Sequence, residues 1–440
     1  MSLNNFFNPR SIAVIGASRH REKVGNVIFR NLLKNGEVEV FPVNINAEKV
    51  EGIRAYKSIL DVKEKVDLAV IAIPAKFVPG VMEEIVKKGV EACLIISAGF
   101  SEVGKEGEKL EREVSRIARR GEVRIVGPNS LGIINVSKNL NITFFEGEIQ
   151  KGGIAFFSQS GALGVGILDS SKIRNIGLSL FCSVGNMVDV SFPELIEFAN
   201  SHEDTKVISL YVEALKKGRK FLKACKDSRK KVIFLKGGRT SKGMEACKTH
   251  TASISSDYSI YRGALRQVNV EVVETLEDLF NLSKIYENFD ELGKRVCIVT
   301  NAGGLGVLAS DACDKYGLEV VELPGEVREE LNKCLPPHWS KSNPIDVIGD
   351  ADARRFERVF DTLAKYNFFD VLLCLLTPQA MTQPIETAKA LIKFKERTGK
   401  PCFTCFLGGE RVKEAVKLLE ENCIINFEEP EDFARLFQWK

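Results

Sequence analysis

The sequence has few of the features that would place it in a common functional class. It has only 4 histidines in 440 residues, and no apolar run approaches the ~18 residues that a membrane-spanning helix needs. Its formal net charge of +3 argues against a nucleic-acid surface, although a local basic patch could still bind phosphate groups. No basic-then-apolar leader opens the chain, so we expect a cytoplasmic protein without a signal peptide.

Three common nucleotide-binding and catalytic motifs are also missing. The sequence has no G-x-G-x-x-G, which disfavours an oxidoreductase that binds a nicotinamide dinucleotide. It has no G-x-x-x-x-G-K-[ST] loop, so a P-loop nucleotide site is not predicted. It has no G-x-S-x-G elbow, which argues against a serine-hydrolase triad. Any nucleotide chemistry therefore needs another kind of site.

The cysteines favour a reducing compartment. They number 11, an odd count, and most lie inside apolar runs such as ACLII and VLLCLL, which is typical of reduced, buried thiols. Cys402 and Cys405 form the one close pair, at a spacing seen in redox motifs. Because the surrounding run PCFTCF reads as a buried strand and no second pair exists, we interpret both as structural residues.

The order of apolar and amphipathic segments predicts an α/β fold. A chain of 440 residues is too long for one core, and roughly 150 residues per domain suggests about three domains. Continuous apolar strands alternate with amphipathic helical stretches, a pattern typical of doubly wound parallel sheets covered on both faces. Such sheets bind ligands at the carboxyl ends of their strands. The predicted helices span residues 24–35, 77–88, 105–120, 161–173, 193–200, 217–226, 257–267 and 276–288.

An internal repeat marks two of these strand ends. The segment from Ile154 reads IAFFSQSGALGV and the segment from Val296 reads VCIVTNAGGLGV, so that Gly161 aligns with Gly303. Each copy predicts a strand, a turn of small residues and the start of a helix. Glycine lets a ligand approach bare backbone N–H groups, and a helix N-terminus carries partial positive charge. One copy alone is a weak signal of an anion site, because tight turns in α/β folds also favour glycine; two matched copies strengthen it.

His250 lies in the polar stretch KTHTASISSD, which we interpret as a loop. The histidine could be a surface residue without a task, and a metal site is disfavoured because no second ligand lies at suitable spacing. The remaining role is nucleophilic, with the imidazole accepting a phosphoryl group. Glu213, after the strand run KVISLYV, could fix the other ring nitrogen, or it could be a solvated strand end.

A wider set of motifs resembles a known family. The segments are NPRSIAVIGAS, PVNIN, SAGFSE, GPNSLGIIN, SQSGALG, KGGRTSKG, HTASIS, TNAGGLGVLASDA and NPIDVIGDA. Together they resemble the alpha subunits of nucleoside-diphosphate-forming acyl-CoA synthetases, specifically ADP-forming acetyl-CoA synthetase, and are similar to succinyl-CoA synthetase alpha. The resemblance covers essentially the whole chain. It implies a Rossmann-like CoA-binding domain at 1–136, a flavodoxin-like phosphohistidine domain at 137–290 and a second flavodoxin-like, ligase-CoA domain at 291–440.

The resemblance also implies a reaction and the residues that perform it. Acyl-CoA, phosphate and ADP would give a carboxylic acid, CoA and ATP through an acyl phosphate and a phosphohistidine. His250 matches the phosphorylated residue, and Glu213 matches the glutamate that orients it. The phosphate would lie between two helix N-termini, at the matched residues Ser160, Gly161, Gly303 and Gly304. No metal ligand is predicted in this chain.

By the same resemblance, CoA would contact residues at the strand ends of the first domain. These are Gly16, Ala17, Ser18, Lys23, Asn26, Asn44, Pro74, Ser97, Gly99, Phe100 and Asn129. ADP or ATP with Mg would bind mainly on a partner, an ATP-grasp beta subunit, in an α2β2 assembly without nucleic acid or membrane partners. His20 and His202 are interpreted as surface residues, and His338 is not assigned.

The sequence departs from the family pattern at two points. The stretch HTASISSD is one residue shorter than the more frequent H-T-G-S-L-A-G-S-D, and Ser130 stands where many relatives have cysteine, which argues against an essential thiol there. Two other functions stay open: a CoA-binding regulatory module without catalysis, and a ligase for an aryl or branched-chain acid.

Overall fold

The computed structural model describes residues 3–251, 258–289 and 291–439, without the side chains of residues 248–251 and 439. The chain forms two compact units, Met1–Ser283 and Lys284–Lys440. Parallel sheets with helices on both faces build the units, which confirms the predicted α/β class. No helix in the described part of the chain is both long and apolar enough to cross a bilayer.

The first unit begins with a five-stranded parallel sheet. Its order is β2-β1-β5-β6-β7, so the strand order reverses between β1 and β5. A ligand is expected at such a switch point. The strands are β1 Ser11–Ile15, β2 Glu39–Val43, β3 Lys49–Val50, β4 Ile53–Arg54, β5 Leu68–Ile71, β6 Ala92–Ile95 and β7 Arg124–Val126, with β3 and β4 forming a separate hairpin. The helices are α1 Asn4–Phe7, α2 Val24–Leu33, α3 Val78–Lys88 and α4 Lys105–Arg120.

Helix α4 illustrates how the spacing of apolar residues determines which face of a helix is buried. Its apolar residues Val114, Ile117 and Ala118 fall on one face and are buried, while the remaining face carries charged side chains. An ion pair one turn apart, Arg112 with Glu108, adds modest support on the exposed face. This periodicity explains why the helix spans the residues that the sequence predicts.

The second sheet of the same unit has seven strands in the order β14-β13-β12-β10-β11-β8-β9. The five strands from β14 to β11 are parallel, and β8 and β9 add an antiparallel hairpin at one edge. The strands are β8 Gly132–Asn135, β9 Leu140–Thr143, β10 Lys151–Ser158, β11 Leu178–Ser183, β12 Val207–Val212, β13 Lys231–Lys236 and β14 Glu271–Val273. The helices are α5 Gly161–Ser170, α6 Phe192–Ser201, α7 Gly218–Asp227, α8 Ser241–Thr251, α9 Tyr258–Arg266 and α10 Leu276–Asn288.

A loop of the second sheet joins the edge of the first. Residues 186–190 follow β11 and run beside β7: the N–H of Val190 donates to the carbonyl of Ile125 at 3.0 Å. In return, the Ile125 N–H donates to the Asp189 carboxylate at 2.9 Å, and Arg124 pairs with the same carboxylate at 2.7 Å. Edge strands left open tend to pair with other chains, so this loop also covers a vulnerable edge.

The second unit holds a single parallel sheet in the order β16-β15-β18-β19-β20, with β17 also paired to β15. The strands are β15 Arg295–Thr300, β16 Glu319–Val320, β17 Ile345–Asp346, β18 Val371–Leu376, β19 Cys402–Phe406 and β20 Ile425–Asn426. The helices are α11 Gly303–Lys315, α12 Gly325–Cys334, α13 Ala353–Leu363, α14 Pro384–Thr398, α15 Glu410–Glu421 and α16 Pro430–Arg435. Its switch point lies between β15 and β18.

The predicted domain limits remain predictions. Strand β8 lies within the span expected for the first domain, yet it pairs with β11 of the second sheet. The chain therefore enters the second sheet before it reaches the long strand β10.

Candidate functional site

The turn after β1 is the tightest part of the first sheet's switch point. Gly16 has φ +96°, and a Cβ built on it would lie 2.3 Å from the carbonyl oxygen of Ala72, at the end of β5. A Cβ on Gly25, at the start of α2, would lie 2.1 Å from the Gly16 carbonyl oxygen. Only glycine fits either place, because both the backbone angle and the space exclude a side chain at Gly16. The two loops and the helix start therefore meet at one point.

Two asparagines predicted as CoA contacts donate hydrogen bonds to the backbone carbonyls of this turn. The Asn44 amide donates to the Ala17 carbonyl at 2.7 Å, and the Asn26 amide donates to the Ser18 carbonyl at 2.6 Å. Asn26 is fully buried, and Lys23, just before α2, is exposed. In this arrangement Asn26 supports the loop, while Lys23 is free to reach an anionic group.

The turns after β5 and β6 carry the next predicted residues. Ser97 bonds both polar groups of Ile73: its hydroxyl donates to the carbonyl at 2.5 Å and accepts from the N–H at 3.1 Å. The Asn129 N–H donates to the Ser97 carbonyl at 2.9 Å, and Pro74 is exposed beside them. Four predicted segments thus lie at one edge of the sheet.

Phe100 differs from its neighbours in this group. Its side chain is fully buried in the core of the first sheet, so only its backbone faces the edge. The N–H groups of Gly99 and Phe100 donate to one carboxylate oxygen of Glu102, at 2.5 and 3.1 Å. Burial opposes ionisation of Glu102, but these bonds and one from the Asn186 amide outweigh it and lower its pKa. Sequence reasoning missed Glu102, although it stands in the SAGFSE motif.

The second sheet presents the first copy of the repeat at its own switch point. After β10, the Ser158 hydroxyl donates to the Ser160 carbonyl at 2.8 Å and accepts from the Ser160 N–H at 3.2 Å. The Ser160 hydroxyl then caps α5 by accepting from the Leu163 N–H at 3.3 Å. Gly161, at the first position of α5, is open enough to leave the first-turn N–H groups near solvent. The arrangement suits an anion.

The second copy of the repeat has the same hydrogen bonds at a different strand end. In the second unit the Thr300 hydroxyl donates to the Ala302 carbonyl at 3.0 Å and accepts from its N–H at 2.9 Å. Alanine lacks a hydroxyl, so the start of α11 has no side-chain cap of the kind that Ser160 gives α5. Gly303 and Gly304 are exposed at this helix start.

Glu213 lies directly after β12, next to the first turn of the repeat. The Gln159 side chain accepts from the N–H groups of Glu213 and Ala214, both at 2.9 Å. Glu213 is only 5% exposed, so it is not the solvated strand end that the sequence left open. A buried carboxylate at a switch point is a typical functional position.

Three further side chains surround Glu213 that sequence reasoning did not single out. Lys236, at the end of β13, is 2% exposed and donates to the Glu213 carbonyl at 2.7 Å and to the Gly237 carbonyl. Burial lowers the pKa of Lys236, although Cys247 and Glu213 act in the opposite direction. Burial, and secondly Glu213, raise the pKa of the Tyr211 hydroxyl to about 12. Burial also raises the pKa of Cys247, which lies on α8.

His250 belongs to helix α8 by its backbone, one turn after Cys247. The sequence interpretation of a loop is therefore wrong for residues 248–251, which belong to the helix by their backbone. The His250 side chain, and all of residues 252–257, lie outside the described part of the chain. The predicted phosphorylation of His250 stays a prediction.

The remaining residues singled out by sequence are three histidines, two cysteines and Ser130. His202 is half-buried, and its Nδ1 lies 3.0 Å from the Thr205 hydroxyl. His20 and His338 are exposed. Cys402 and Cys405 lie in β19, which confirms the predicted buried strand, and burial raises the pKa of each thiol to about 12. Ser130 is buried and donates to the Ser183 carbonyl at 2.5 Å.

Comparison with known proteins assigns each part of the chain. Residues 10–136 match the family model of a CoA binding domain, 151–286 that of a succinyl-CoA ligase like flavodoxin domain, and 296–432 that of a ligase-CoA domain. The alpha subunit of acetate–CoA ligase [ADP-forming] II from Pyrococcus furiosus is 41% identical over 98% of this chain and 96% of its own length. The chain belongs to the ADP-forming acetate–CoA ligase family. This confirms the resemblance that the motifs indicated.

Two further proteins are similar to this chain. The dinucleotide-forming acetyl-coenzyme A synthetase 1 of Ca. Korarchaeum cryptofilum, solved in complex with phosphate and ADP, superposes with a TM-score of 0.93. It is 35% identical, over 100% of this chain and 96% of that one. The 4-hydroxybutyrate–CoA ligase [ADP-forming] of Nitrosopumilus maritimus is 34% identical over 93% of this chain, which spans 59% of that longer protein.

Proposed function

We propose that the chain is the alpha subunit of an ADP-forming acyl-CoA synthetase that converts acyl-CoA, phosphate and ADP into a carboxylic acid, CoA and ATP. The observation that carries this proposal is the position of Glu213. Its buried carboxylate lies beside the glycine turn at Gly161 and against the helix that carries the His250 backbone. Three segments of one unit thus supply the carboxylate that would orient the histidine, the turn that would bind phosphate and the backbone of the histidine itself.

In the proposed reaction, phosphate first attacks the carbonyl carbon of the bound thioester. A C–O bond forms, the C–S bond breaks, and CoA leaves as the thiol. The first-turn N–H groups at Ser160 and Gly161 would neutralise the phosphate charge. The repeat in the sequence predicts the same role for Gly303 and Gly304. The loops at Gly16–Ser18, Lys23, Asn44, Pro74, Ser97, Gly99 and Asn129 would hold CoA, with Asn26 and Phe100 supporting them.

The phosphoryl group then passes to His250 and on to ADP. An imidazole nitrogen attacks phosphorus, the bond to the acyl oxygen breaks, and the carboxylate leaves. Glu213 would accept a hydrogen bond from the other ring nitrogen and so stabilise the positive charge that develops on the ring. An oxygen of the ADP β-phosphate finally attacks phosphorus, and the P–N bond breaks. Lys236 keeps the Glu213 strand end in place throughout.

The nucleotide step needs a partner in this proposal. The Pyrococcus relative is named as a subunit, and the Ca. Korarchaeum structure contains phosphate and ADP. We infer that an ATP-grasp beta subunit supplies the nucleotide site with Mg, in an α2β2 assembly in the cytoplasm. The similarity to both acetate and 4-hydroxybutyrate ligases leaves acetate as the first substrate to test, with branched-chain and aryl acids next.

The proposal is tested by protein phosphorylation. The full chain with its partner is mixed with acetyl-CoA, Mg and labelled phosphate, and we expect an acid-labile, base-stable label on this chain. His250→Asn should abolish the label and acid formation while CoA still binds. Glu213→Gln should label more slowly, and Glu203→Gln, at an exposed surface position, should match wild type.

Other outcomes of that experiment decide between the alternatives. Full turnover by His250→Asn would end the phosphohistidine mechanism. CoA binding without label from any acyl-CoA would instead support the regulatory CoA-binding module. A label that forms only with a branched-chain or aryl acyl-CoA would assign the substrate class.

A further inference from the structure

The short loop after β11 reaches three segments of the proposed site through one residue. The Asn186 side-chain amide donates to Glu102 Oε2 at 2.7 Å, to Glu111 Oε2 at 2.7 Å and to the Ser101 hydroxyl at 3.1 Å. A single amide nitrogen has two hydrogens, so these three acceptors share them. Two of the acceptors are carboxylates, and hydrogen bonds to charged groups are the stronger kind.

The backbone of Asn186 makes contacts of its own. Its N–H donates to the Pro128 carbonyl at 2.9 Å, next to the predicted CoA contact Asn129. Its carbonyl accepts from the Lys216 ammonium at 2.6 Å, three residues after Glu213. The preceding residue, Gly185, has φ +54°, and a Cβ on it would lie 2.0 Å from the Pro128 carbonyl oxygen, so a residue with a side chain is excluded there. The loop is thus held closely against the segment at Asn129.

The contact with Glu102 continues into the CoA-binding edge. Glu102 Oε2 accepts from Asn186, and its Oε1 accepts from the N–H groups of Gly99 and Phe100. Asn186 therefore positions the carboxylate that orders the turn at Gly99. On its other side, Lys216 ties the same residue to the loop that begins at Glu213.

We infer that Asn186 is a positioning residue that joins the CoA-binding turn at Gly99, through its side-chain amide, to the Glu213 loop, through its backbone carbonyl, so that CoA binding and histidine phosphorylation depend on the placement of the same residue. This inference rests on the proposed function. The network lies in one unit and consists of direct hydrogen bonds, so each step can be removed separately. It predicts that removing the Asn186 amide weakens CoA binding and that removing the Lys216 ammonium slows phosphorylation.

The test uses the full chain with its partner and compares Asn186→Ala, Glu102→Gln and the double variant. CoA affinity is measured by calorimetry, and the rate of protein labelling by acetyl-CoA with labelled phosphate. Loss of the amide's bonds to charged groups predicts a CoA Kd raised about ten-fold for Asn186→Ala, and loss of the ammonium bond predicts a labelling rate lowered about ten-fold for Lys216→Met. The double variant should bind CoA no more weakly than the weaker single variant, because both act through one contact.

A matched control separates positioning from stability. Asn35 also bridges the two sheets of the first unit, through bonds to the carbonyls of Lys138 and Asn139 at 2.7 and 3.0 Å, but far from these loops in sequence and function. Asn35→Ala should change the melting temperature while leaving the CoA Kd and the labelling rate per folded molecule unchanged. If Asn186→Ala fails to fold, Glu102→Gln alone tests the CoA arm and Lys216→Met the phosphorylation arm.

Each remaining result has a definite meaning. Wild-type protein that never labels would reject the proposed function, whatever the variants do. Wild-type labelling would overturn the inference if Asn186→Ala keeps the CoA Kd within two-fold or if Lys216→Met keeps the labelling rate within two-fold. Additive effects of Asn186→Ala and Glu102→Gln on CoA affinity would also overturn it.

Discussion

Replacing Gly16 by alanine should weaken both folding and CoA binding, because the structure leaves no room for a methyl group. At φ +96° an alanine sits in a backbone region that costs an L-residue roughly 1–2 kcal/mol. The added Cβ would also lie 2.3 Å from the Ala72 carbonyl oxygen and 2.8 Å from the Ile73 side chain. Relieving such overpacking costs about 1–3 kcal/mol. The free energy of unfolding should therefore fall by roughly 2–5 kcal/mol.

Gly36 provides a matched control for this substitution. Its φ is +75°, but a Cβ there would have nothing within 4 Å, so Gly36→Ala should carry only the backbone cost of roughly 1–2 kcal/mol. The difference between the two variants isolates the contact between the turn after β1 and the end of β5.

Urea unfolding and CoA titration together check the prediction. Gly16→Ala should lose more stability than Gly36→Ala and should bind CoA at least ten-fold more weakly, since Ala72 leads directly into the predicted contact at Pro74. Equal losses of stability in the two variants, with unchanged CoA affinity in both, would refute the close-contact reasoning.

Three further predictions concern the other strand ends. Ser160→Ala removes the cap of α5 and should lower the free energy of unfolding by about 1 kcal/mol in urea titrations, whereas Ala302→Ser should raise it by a similar amount. Gln159→Leu leaves the buried N–H groups of Glu213 and the next residue without their acceptor and should cost about 2–4 kcal/mol, measured in the same way. The folded-state pKa of Glu102 lies below its unfolded value, so its ionised form stabilises the fold above the unfolded pKa of about 4.3, and this contribution is lost as the pH falls through the folded pKa. Glu102→Gln should flatten the melting temperature as a function of pH in that acid range; an unchanged profile would contradict the assignment.

The long helices were predictable because the spacing of their buried apolar residues sets where each helix begins and ends. Helices α4 and α10 span the residues that their apolar spacing indicates, and α7 differs by one residue at each end. The antiparallel hairpin of β8 and β9 was not predicted, because its strands have four residues each and no distinctive turn motif. Helix α8 was missed because its serine and its two threonines favour loops and caps over helix interiors.

The candidate site was predictable where a residue suited to catalysis or anion binding directly follows a strand. Glu213 and the glycine turn at Gly161 stand directly after apolar runs, so the parallel topology of the second sheet brings them to one edge. Lys236 and Asn186 could not be found in the same way. Lys236 reads as the polar end of a strand, and the role of Asn186 depends on acceptors 75–85 positions earlier in the chain. Only the folded chain brings those partners together.

The pairing of residues 186–190 with strand β7 has a consequence for dissecting this protein. A fragment that stops before β10 would carry the whole CoA-binding sheet but would lose the strand-like cover on its β7 edge and the Asp189 partner of Arg124. Its bare backbone edge would invite self-association. In the intact chain the two sheets should melt in one cooperative calorimetric transition, since neither can unfold without exposing an edge or a loop of the other.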